Sequence, residues 1–466
     1  MSSSTSSETQ QLLHNVHELR EADLPEQVWL RTEELFLDWL ASAMASCHTH
    51  PIPAFARLMQ QMGPHNGRSQ LLALPDVGGG NTSTSAYWAA WLNGAASHTL
   101  EQDDLHNSSV MHPATVIFPA ALSAAQDAGL SGRAMLLSSI AGYEAGIRLA
   151  ESLGRSHYRT FHTTSTVGTV AAGLAVAKLL NLDMAGLTSA LGSSGTQASG
   201  LWEFLRTGAG ESKQLHCAHA ASTGLLSAYL ARDGVRGADD IVQGPQGLMV
   251  GMAKDDTDAA KLAVPFGQPR WALLETSFKW HACCRHTHPS ADALLDALTK
   301  VDRANIKRVT AKVHQAALDV LGPVDALEQG PQSIHAAKFS MKSTLALIAC
   351  KGAAALSDFE TYALKDPEVL AFRDKVHMEL DKEVDNAYPA RWLGRVDVEL
   401  SDGTVVHGRC DEPKGDPGNT LSREELEEKF KRLVNVHAGR KDVDADRIIQ
   451  WCWSLRDQKD SRVPLP

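Results

Sequence analysis

The stretch VGTVAAGLAVAKLL at residues 167–180 decides the fold class of this chain. It is apolar almost throughout, and many of its positions are Gly or Ala, which let neighbouring backbones approach closely. The pattern predicts a helix that is buried on most of its sides. Strand patterns are nearly absent around it, so the part of the chain before about residue 270 is predicted to be an α-helical domain.

Helical patterns lie on both sides of this stretch. They occupy residues 35–44, 114–127, 134–152, 220–231, 420–434 and 443–455. The one at 420–434 is amphipathic, with Ser and Thr near its start and acidic residues in its first turn, as expected for a capped helix. The fold class is therefore predicted to be mainly α.

The character of the sequence changes after about residue 275, where strand patterns appear. Residues 306–316 contain a period-2 stretch, and residues 395–400 alternate between apolar and polar positions. Asp402-Gly403 then precedes a second short run at 405–406, which is a hairpin signal. Residues 276–410 are therefore predicted to form a smaller α+β domain.

Composition narrows the class of protein. The chain has 466 residues, which favours two domains or more, and a net charge of -11, which disfavours nucleic acid as a partner. No apolar run is long enough for a membrane helix, and residues 1–12 are predicted to be a disordered Ser/Thr-rich tail without signal-peptide features. The seven scattered cysteines favour reduced thiols, and the protein is expected to be cytoplasmic.

An acidic motif, NGAASHTLEQDDLH, occupies residues 93–106 and is followed by MHP. On a helix, His98, Glu101 and Asp104 would lie on one face, where three ionisable groups form a candidate acid–base array. His112 precedes a proline, which disfavours helical backbone and predicts a loop from which the imidazole reaches a pocket. The pattern by itself leaves open a solvated acidic turn with a capping His.

Two further motifs contain candidate anion-binding groups. SHYRTFHTT at residues 156–164 places His162 beside the start of the small-residue helix, where it either binds a carboxylate or forms a cap. GAGESKQLH at 208–216 resembles a phosphate loop only superficially, because the Gly that must directly precede the Lys is missing. Lys213 is therefore either an anion contact or an ordinary surface lysine.

The motif KWHACCRHTHP at residues 279–289 concentrates potentially cationic side chains. Adjacent cysteines do not readily ligate one ion, and the chain has no Cys-x-x-Cys, so no metal is predicted here. Several cationic groups within so short a segment suit a polyanionic substrate better.

These four motifs, in this order, resemble the MmgE/PrpD family, which includes 2-methylcitrate dehydratase, cis-aconitate decarboxylase and iminodisuccinate epimerase. The resemblance runs from about residue 25 to 455, and AKFSMKSTLAL at 337–347 and DEPKGDPGNTLSREELEEKF at 411–430 add to it. It implies a large helical domain, residues 13–275 and 411–466, with residues 276–410 inserted as an α+β lid. It also implies a homodimer, an active site in the cleft between the domains, no cofactor, and a small polycarboxylate as substrate.

The resemblance also assigns the site residues. The implied catalytic residues are Asp104, His112, His162, Lys213 and Lys279. The residues expected to bind substrate are Glu101, Asp103, His106, Arg285 and His288. Two positions depart from the family pattern: Ser343 stands where many relatives have a Tyr that the decarboxylase branch is expected to use, and Glu101 replaces the first Asp of the usual acidic motif.

These assignments imply a mechanism. Lys213, Lys279 and Arg285 match the charge of the substrate, a His acts as base, and Asp104 orients that His or protonates the leaving hydroxyl. Dehydration of 2-methylcitrate or citrate is the favoured reaction, with decarboxylation of cis-aconitate or an epimerisation of the iminodisuccinate type as alternatives. A hypothesis of another class is a non-catalytic carboxylate-binding dimer, which the absence of the Tyr at Ser343 keeps open.

Overall fold

In the computed structural model, the described residues are 7–74, 82–207 and 210–465. The first part of the chain is helical, with a few two-residue strands. The elements are α1 Glu8–Glu18, α2 Glu26–Ala45, α3 Ile52–Met62, β1 Ser69–Gln70, β2 Ser83–Thr84, α4 Ala86–Ser97, β3 Leu105–His106, α5 Ala114–Ala128, α6 Gly132–Tyr158, α7 Thr163–Leu179, α8 Met184–Thr196, α9 Phe204–Thr207, α10 Glu211–Arg232, α11 Leu248–Met252, α12 Ala260–Ala263 and β4 Thr276–Ser277. Among the described residues, no helix is both long enough and apolar enough to cross a membrane.

Helix α7 is the centre of this bundle. It packs against α5, α6, α8 and α10, and all of its residues except Lys178 are buried. The prediction of a small-residue helix buried on most sides is therefore confirmed. Glycines allow the close approach, because a Cβ at Gly224 of α10 would lie 2.5 Å from the carbonyl oxygen of Thr169 in α7.

This contact gives a stability prediction. Gly224→Ala is expected to destabilise the fold by about 1–3 kcal/mol, because the added methyl meets backbone atoms that cannot move independently of their helix. Gly322→Ala is the matched control, since a Cβ at Gly322 in the interior of a later helix meets nothing within 4 Å. Urea denaturation measures both variants, and equal effects would contradict the packing account.

The second part of the chain contains a four-stranded sheet. Its elements are α13 His288–Leu298, β5 Ile306–Val313, α14 Gln315–Asp325, α15 Ile334–Lys338, α16 Met341–Lys351, α17 Leu356–Thr361, α18 Pro367–Arg373, β6 Val376–Leu380, α19 Lys382–Ala387, β7 Gly394–Leu400, β8 Val405–Cys410, α20 Arg423–Lys431 and α21 Ala445–Trp453. The strand order is β6-β5-β7-β8, with β5 and β6 parallel and the other neighbours antiparallel. The molecule is mainly α with a smaller α+β part, as predicted.

The predicted hairpin is confirmed. Strands β7 and β8 pair antiparallel across a tight turn in which Gly403 has a φ of 87°, a conformation that favours glycine. The predicted strand 306–316 is shorter in the structure, because His314 caps α14 after β5 ends at Val313. The sequence patterns had not predicted β6, in which Val376 is buried but the last two residues, Glu379 and Leu380, are exposed.

The last helices return to the helical part, where α20 and α21 pack against α2. Lys429 of α20 is buried, and its Nζ lies 2.6 Å from Oδ1 of Asp38 in α2. A short π-helix, Arg432–His437, follows α20 directly. Helices from near the start and near the end of the chain therefore pack on one another.

Two predictions concern the chain outside the core. A disordered tail up to residue 12 is wrong for residues 8–12, because α1 begins after a capping box at Ser7 and buries Leu12 and Leu13. Residues 1–6 of that predicted tail lie outside the described residues. All seven cysteines are free in the structure, and the reduced state of the thiols stays a prediction.

Candidate active site

Residues 98–104 form a buried turn. Helix α4 ends at Ser97, His98 is its C-cap, and Glu101 has a φ of 56°, which is uncommon for a residue other than glycine. The predicted helix with His98, Glu101 and Asp104 on one face is therefore wrong. The alternative of a solvated turn is wrong in its solvation, because Glu101 and Asp103 have no exposed surface.

Two buried lysines from the second part of the chain hold this turn. Nζ of Lys338 donates to the carbonyl oxygen of Leu100 at 3.0 Å, and Nζ of Lys429 donates to that of Gln102 at 2.7 Å. These carbonyls would accept intrahelical hydrogen bonds if α4 continued. Contacts from residues more than 200 positions away therefore end the helix and aim the acidic side chains.

Asp103 joins two imidazoles. Its Oδ2 lies 2.9 Å from Nδ1 of His98 and 2.7 Å from Nδ1 of His112. Nδ1 of His112 also lies 2.6 Å from the backbone carbonyl oxygen of Asp104, which can only accept a hydrogen bond. Nδ1 of His112 must therefore carry its hydrogen, and the neutral ring presents an unprotonated Nε2.

Glu101 joins two lysines in the same cluster. One of its carboxylate oxygens contacts Nζ of Lys213, and the other lies 2.6 Å from Nζ of Lys279. Lys279 Nζ is also 3.8 Å from Oδ1 of Asp103. Both lysines are buried, so the alternative of a surface Lys213 is wrong. Two ammonium groups and two carboxylates thus share one buried cluster.

Charge and burial determine the protonation states. Burial opposes ionisation of Glu101, but Lys213 and Lys279 outweigh it and hold the pKa of Glu101 well below its usual value. Burial likewise opposes ionisation of Asp103, yet His98, Lys279 and His112 hold its pKa well below the usual value. Burial lowers the pKa of both imidazoles, that of His98 to about 3. At neutral pH the cluster therefore contains two carboxylates and neutral imidazoles.

Asp104 points into a different environment. It accepts hydrogen bonds from the Tyr143 hydroxyl at 2.8 Å and from the backbone N–H of Ala114 at 3.1 Å. Burial and the adjacent Asp103 raise the pKa of Asp104 well above its usual value. Asp104 therefore bonds to Tyr143 and to the start of α5, and it is Asp103 that contacts the imidazoles of His98 and His112.

His162 lies on the opposite wall of the cluster as the N-cap of α7. Its ring stacks on that of His98 at 5.7 Å and packs on Trp202 at 4.5 Å. Its Nδ1 lies 3.2 Å from Nδ1 of His216, and burial lowers the pKa of His162 well below the usual value. Its Nε2 has no hydrogen-bond partner among the described residues.

The other three predicted residues have partners elsewhere. Arg285 contacts the carboxylate of Asp416, His106 contacts the Ser109 hydroxyl at 3.0 Å, and Nε2 of His288 lies 3.4 Å from a backbone carbonyl. Among the described residues, none of the three hydrogen-bonds to Glu101 or Asp103. The structure brings together Glu101, Asp103, His112, His162, Lys213 and Lys279, but not His106, Arg285 and His288.

Buried polar atoms without partners mark the place of a ligand. Within the described ranges, Nε2 of His98, Nε2 of His162, Oδ1 of Asp103 and Nε1 of Trp202 have none. Buried polar groups are normally satisfied, so several orphans around one cluster indicate a site for water or a polar ligand. Sequence reasoning had placed His98 in a candidate acid–base array but had assigned no role to Trp202, Lys338 or Lys429, although Lys338 lies inside the motif AKFSMKSTLAL.

The side chains of His98, Asp103 and His112 are close enough together to be considered as metal ligands, since their ligand atoms lie within 4.8 Å of one another. A metal needs an unprotonated ring nitrogen, whereas Nδ1 of His112 carries a hydrogen that faces two oxygens. The nearby ammonium of Lys279 also repels a cation. The donor set fits a hydrogen-bonded acid–base cluster and does not fit a metal centre.

The chain combines a mainly α fold and a smaller α+β part with a buried cluster of carboxylates, lysines and neutral imidazoles, groups that can carry out acid–base chemistry. The chain belongs to the MmgE/PrpD family. The MmgE/PrpD N-terminal domain matches residues 10–260, and the MmgE/PrpD C-terminal domain matches residues 281–455.

Similar proteins include several cis-aconitate decarboxylases. A cis-aconitate decarboxylase-like protein of Aspergillus oryzae is 28% identical over 94% of this chain and 92% of its own length. The cis-aconitate decarboxylase of Aspergillus terreus is 26% identical over 89% and 86%, respectively. The human cis-aconitate decarboxylase is 24% identical over 96% and 92%.

Proposed function

We propose that this protein is a cofactor-independent lyase that acts on a small polycarboxylate, with dehydration of 2-methylcitrate or citrate as the first candidate reaction. The observation that carries the proposal is the Asp103–His112 pair. Asp103 and the Asp104 carbonyl hold the Nδ1–H of His112, so its Nε2 is a neutral base beside two ammonium groups. Proton abstraction next to a carboxylate needs this combination.

The dehydration step balances within the cluster. His112 Nε2 takes the proton α to a carboxylate, and Lys213 and Lys279 stabilise the negative charge that develops on that carboxylate. The C–O bond then breaks, a double bond forms, and the leaving hydroxyl takes a proton from the His112 imidazolium to depart as water. Asp103 stabilises the imidazolium between these two steps.

The cluster also has donors for further carboxylates. Glu101 and Asp103 already neutralise two lysines, so a polycarboxylate requires more hydrogen-bond donors than the ammonium groups supply. Nε2 of His98 can only accept, because the single hydrogen of this neutral ring is on Nδ1, but Nε2 of His162, in the tautomer that carries its hydrogen there, and the indole N–H of Trp202 have no partner in the described part of the chain. This surplus of donors supports a substrate with several carboxylates.

Decarboxylation of cis-aconitate is the second candidate, supported by the similarity of this chain to cis-aconitate decarboxylases. In this reaction the bond from carbon to a carboxylate breaks, CO2 leaves, and the lysines stabilise the remaining charge until a protonated His delivers a proton to carbon. The same residues serve, but His112 would begin the reaction as an acid. Ser343, where a Tyr is usual, supports dehydration as the first candidate.

A panel of substrates tests the proposal. Purified protein is incubated with 2-methylcitrate, citrate, cis-aconitate and iminodisuccinate, and products are detected by NMR, with His112→Ala as the control. We expect an alkene from 2-methylcitrate or citrate, and a loss of at least about 100-fold in the variant. Binding of all four without turnover would contradict the proposal and support a non-catalytic carboxylate-binding protein.

The pH profile separates the two candidate reactions. Burial lowers the pKa of His112 from the ordinary 6.5, so the neutral base persists into mildly acidic solution. For dehydration, kcat/KM is expected to be level through neutral pH and to fall only below pH 6.5, as His112 becomes protonated. A kcat/KM that falls as pH rises through that value would instead indicate a required imidazolium, as in the decarboxylation.

The homodimer and the lid role of residues 276–410 are part of the same proposal. Exposed leucines on α10, namely Leu215, Leu226 and Leu230, support a surface that a second copy covers. Light scattering after size-exclusion chromatography is expected to give twice the chain mass of 50.2 kDa. A monomer at micromolar concentration would contradict it.

A further inference from the structure

A chain of polar rings crosses the boundary between the helical part and the α+β part. The Tyr158 hydroxyl, at the end of α6, lies 3.3 Å from Nε2 of His286, which precedes α13. Nδ1 of His286 lies 3.4 Å from Nε2 of His314, the N-cap of α14. No step of the proposed mechanism uses these three residues.

The backbone of α14 sets the direction of these hydrogen bonds. The N–H of Ala317 donates to Nδ1 of His314 at 3.2 Å, so that nitrogen has no hydrogen. The neutral ring of His314 then carries its hydrogen on Nε2 and donates to Nδ1 of His286. His286 in turn carries its hydrogen on Nε2 and donates to the oxygen of Tyr158.

These hydrogen-bond directions hold only if the imidazoles of His286 and His314 are neutral, and burial favours the neutral form of both. Burial lowers the pKa of His314 to about 3, and burial together with His314 and His112 lowers that of His286 well below its usual value. Since the Tyr158 oxygen accepts from His286, its own O–H hydrogen points elsewhere. The Tyr158 hydroxyl can therefore donate a hydrogen bond to a further acceptor.

Tyr158 lines a small cavity between the two parts of the molecule, together with Arg155, Arg159, Trp202, Tyr388 and the exposed Asp319, whose Oδ1 accepts from Gln315 at 2.8 Å. The cavity holds about 50 Å³, room for a few waters or one carboxylate group but not for a whole tricarboxylate. Trp202 also packs on His162, so the cavity adjoins the acid–base cluster. Among the described residues, the exposed guanidinium of Arg159 has no partner.

We propose that this cavity is a carboxylate subsite, in which the Tyr158 hydroxyl and the Arg159 guanidinium bind the carboxylate of the substrate that lies farthest from His112. The ligand class rests on the proposed function. His286 and His314 are positioning residues, which act by holding the hydroxyl hydrogen of Tyr158 toward the cavity. An Arg beside a phenol matches the charge and geometry of a carboxylate.

Binding measurements test the subsite without turnover. The affinities of propane-1,2,3-tricarboxylate and of succinate, which lacks one carboxymethyl group, are measured by calorimetry for wild type, Tyr158→Phe and the control Tyr362→Phe. Tyr158→Phe is expected to weaken tricarboxylate binding about 10-fold or more, leave succinate binding unchanged, and leave the melting temperature within a few degrees. Tyr362→Phe is expected to change neither affinity.

The outcomes separate this inference from the proposed function. Equal tricarboxylate affinity in wild type and Tyr158→Phe overturns the subsite alone, as does an equal loss for both ligands. Failure of wild type to bind the tricarboxylate overturns both. Binding that depends on Tyr158, without turnover of any panel substrate, overturns the proposed reaction and supports the subsite.

A second variant tests the positioning role. His314→Asn keeps a residue favoured at an N-cap but removes the ring that donates to His286. We expect the ¹⁵N shifts of His286 to report a change of tautomer from Nε2–H toward Nδ1–H, and tricarboxylate affinity to fall in parallel. A merely structural role for His314 would leave the tautomer of His286 unchanged. That result would overturn the positioning role of His314 and His286.

Discussion

Asp103→Asn is expected to lower kcat by about 1,000-fold or more while the fold stays intact. The carboxylate accepts hydrogen bonds from the Nδ1 atoms of His98 and His112. An amide carries no negative charge, so it cannot stabilise the His112 imidazolium that forms during turnover, and its NH2 group would face the Lys279 ammonium in place of a carboxylate oxygen. In a comparable Asp–His arrangement, the same change lowers kcat by about 10,000-fold. Steady-state kinetics with the best panel substrate measures the effect.

Asp104→Asn is the matched comparison one residue further along the chain. Its carboxyl is held by Tyr143 and the Ala114 N–H, and burial together with Asp103 raises its pKa, which favours the neutral form that an amide resembles. We expect this variant to retain kcat within about 10-fold of wild type, since burying a neutral acceptor in place of another costs little. The reverse order of effects would restore Asp104 as the functional acid.

Lys279→Met is expected to lower the free energy of unfolding by about 3–5 kcal/mol and to abolish detectable turnover. The ammonium is fully buried, lies 2.6 Å from Glu101 and faces Asp103, so its removal leaves two buried carboxylates with too little positive charge. Turnover is lost because the charge that stabilises the carbanion is lost. Urea denaturation and single-turnover kinetics measure the two effects separately.

Two further variants show whether the loss of stability in Lys279→Met comes from its buried charge. Lys307→Met removes a lysine that pairs with Glu399 at 2.6 Å on the surface, and is expected to cost less than about 1 kcal/mol. The double variant Lys279→Met/Glu101→Gln removes the stranded charge as well, so it is expected to recover part of the stability but no activity. A double variant no more stable than the single one would show that Lys279 acts mainly by packing.

Local patterns determined the elements of the fold. The small residues of VGTVAAGLAVAKLL require close neighbours wherever the helix lies, and Asp402-Gly403 between alternating runs specifies a tight turn. Both features depend on residues within a few positions of one another. The order of the four motifs likewise identified the family, and with it most of the residues that the structure brings into one cluster.

Only the tertiary structure decided which partners each of the three neighbouring carboxyl groups contacts. Glu101, Asp103 and Asp104 are neighbours in sequence, yet one meets two lysines, one meets two imidazoles, and one meets a tyrosine. Lys338 and Lys429 end α4 and turn these side chains apart, and both lie more than 200 residues away in the chain. The pKa of a side chain and the direction of its hydrogen bonds depend on burial and on charges brought from such distances. The sequence by itself therefore determined the helices and the family. The packing of the second part of the chain on the first decided the chemistry of the site.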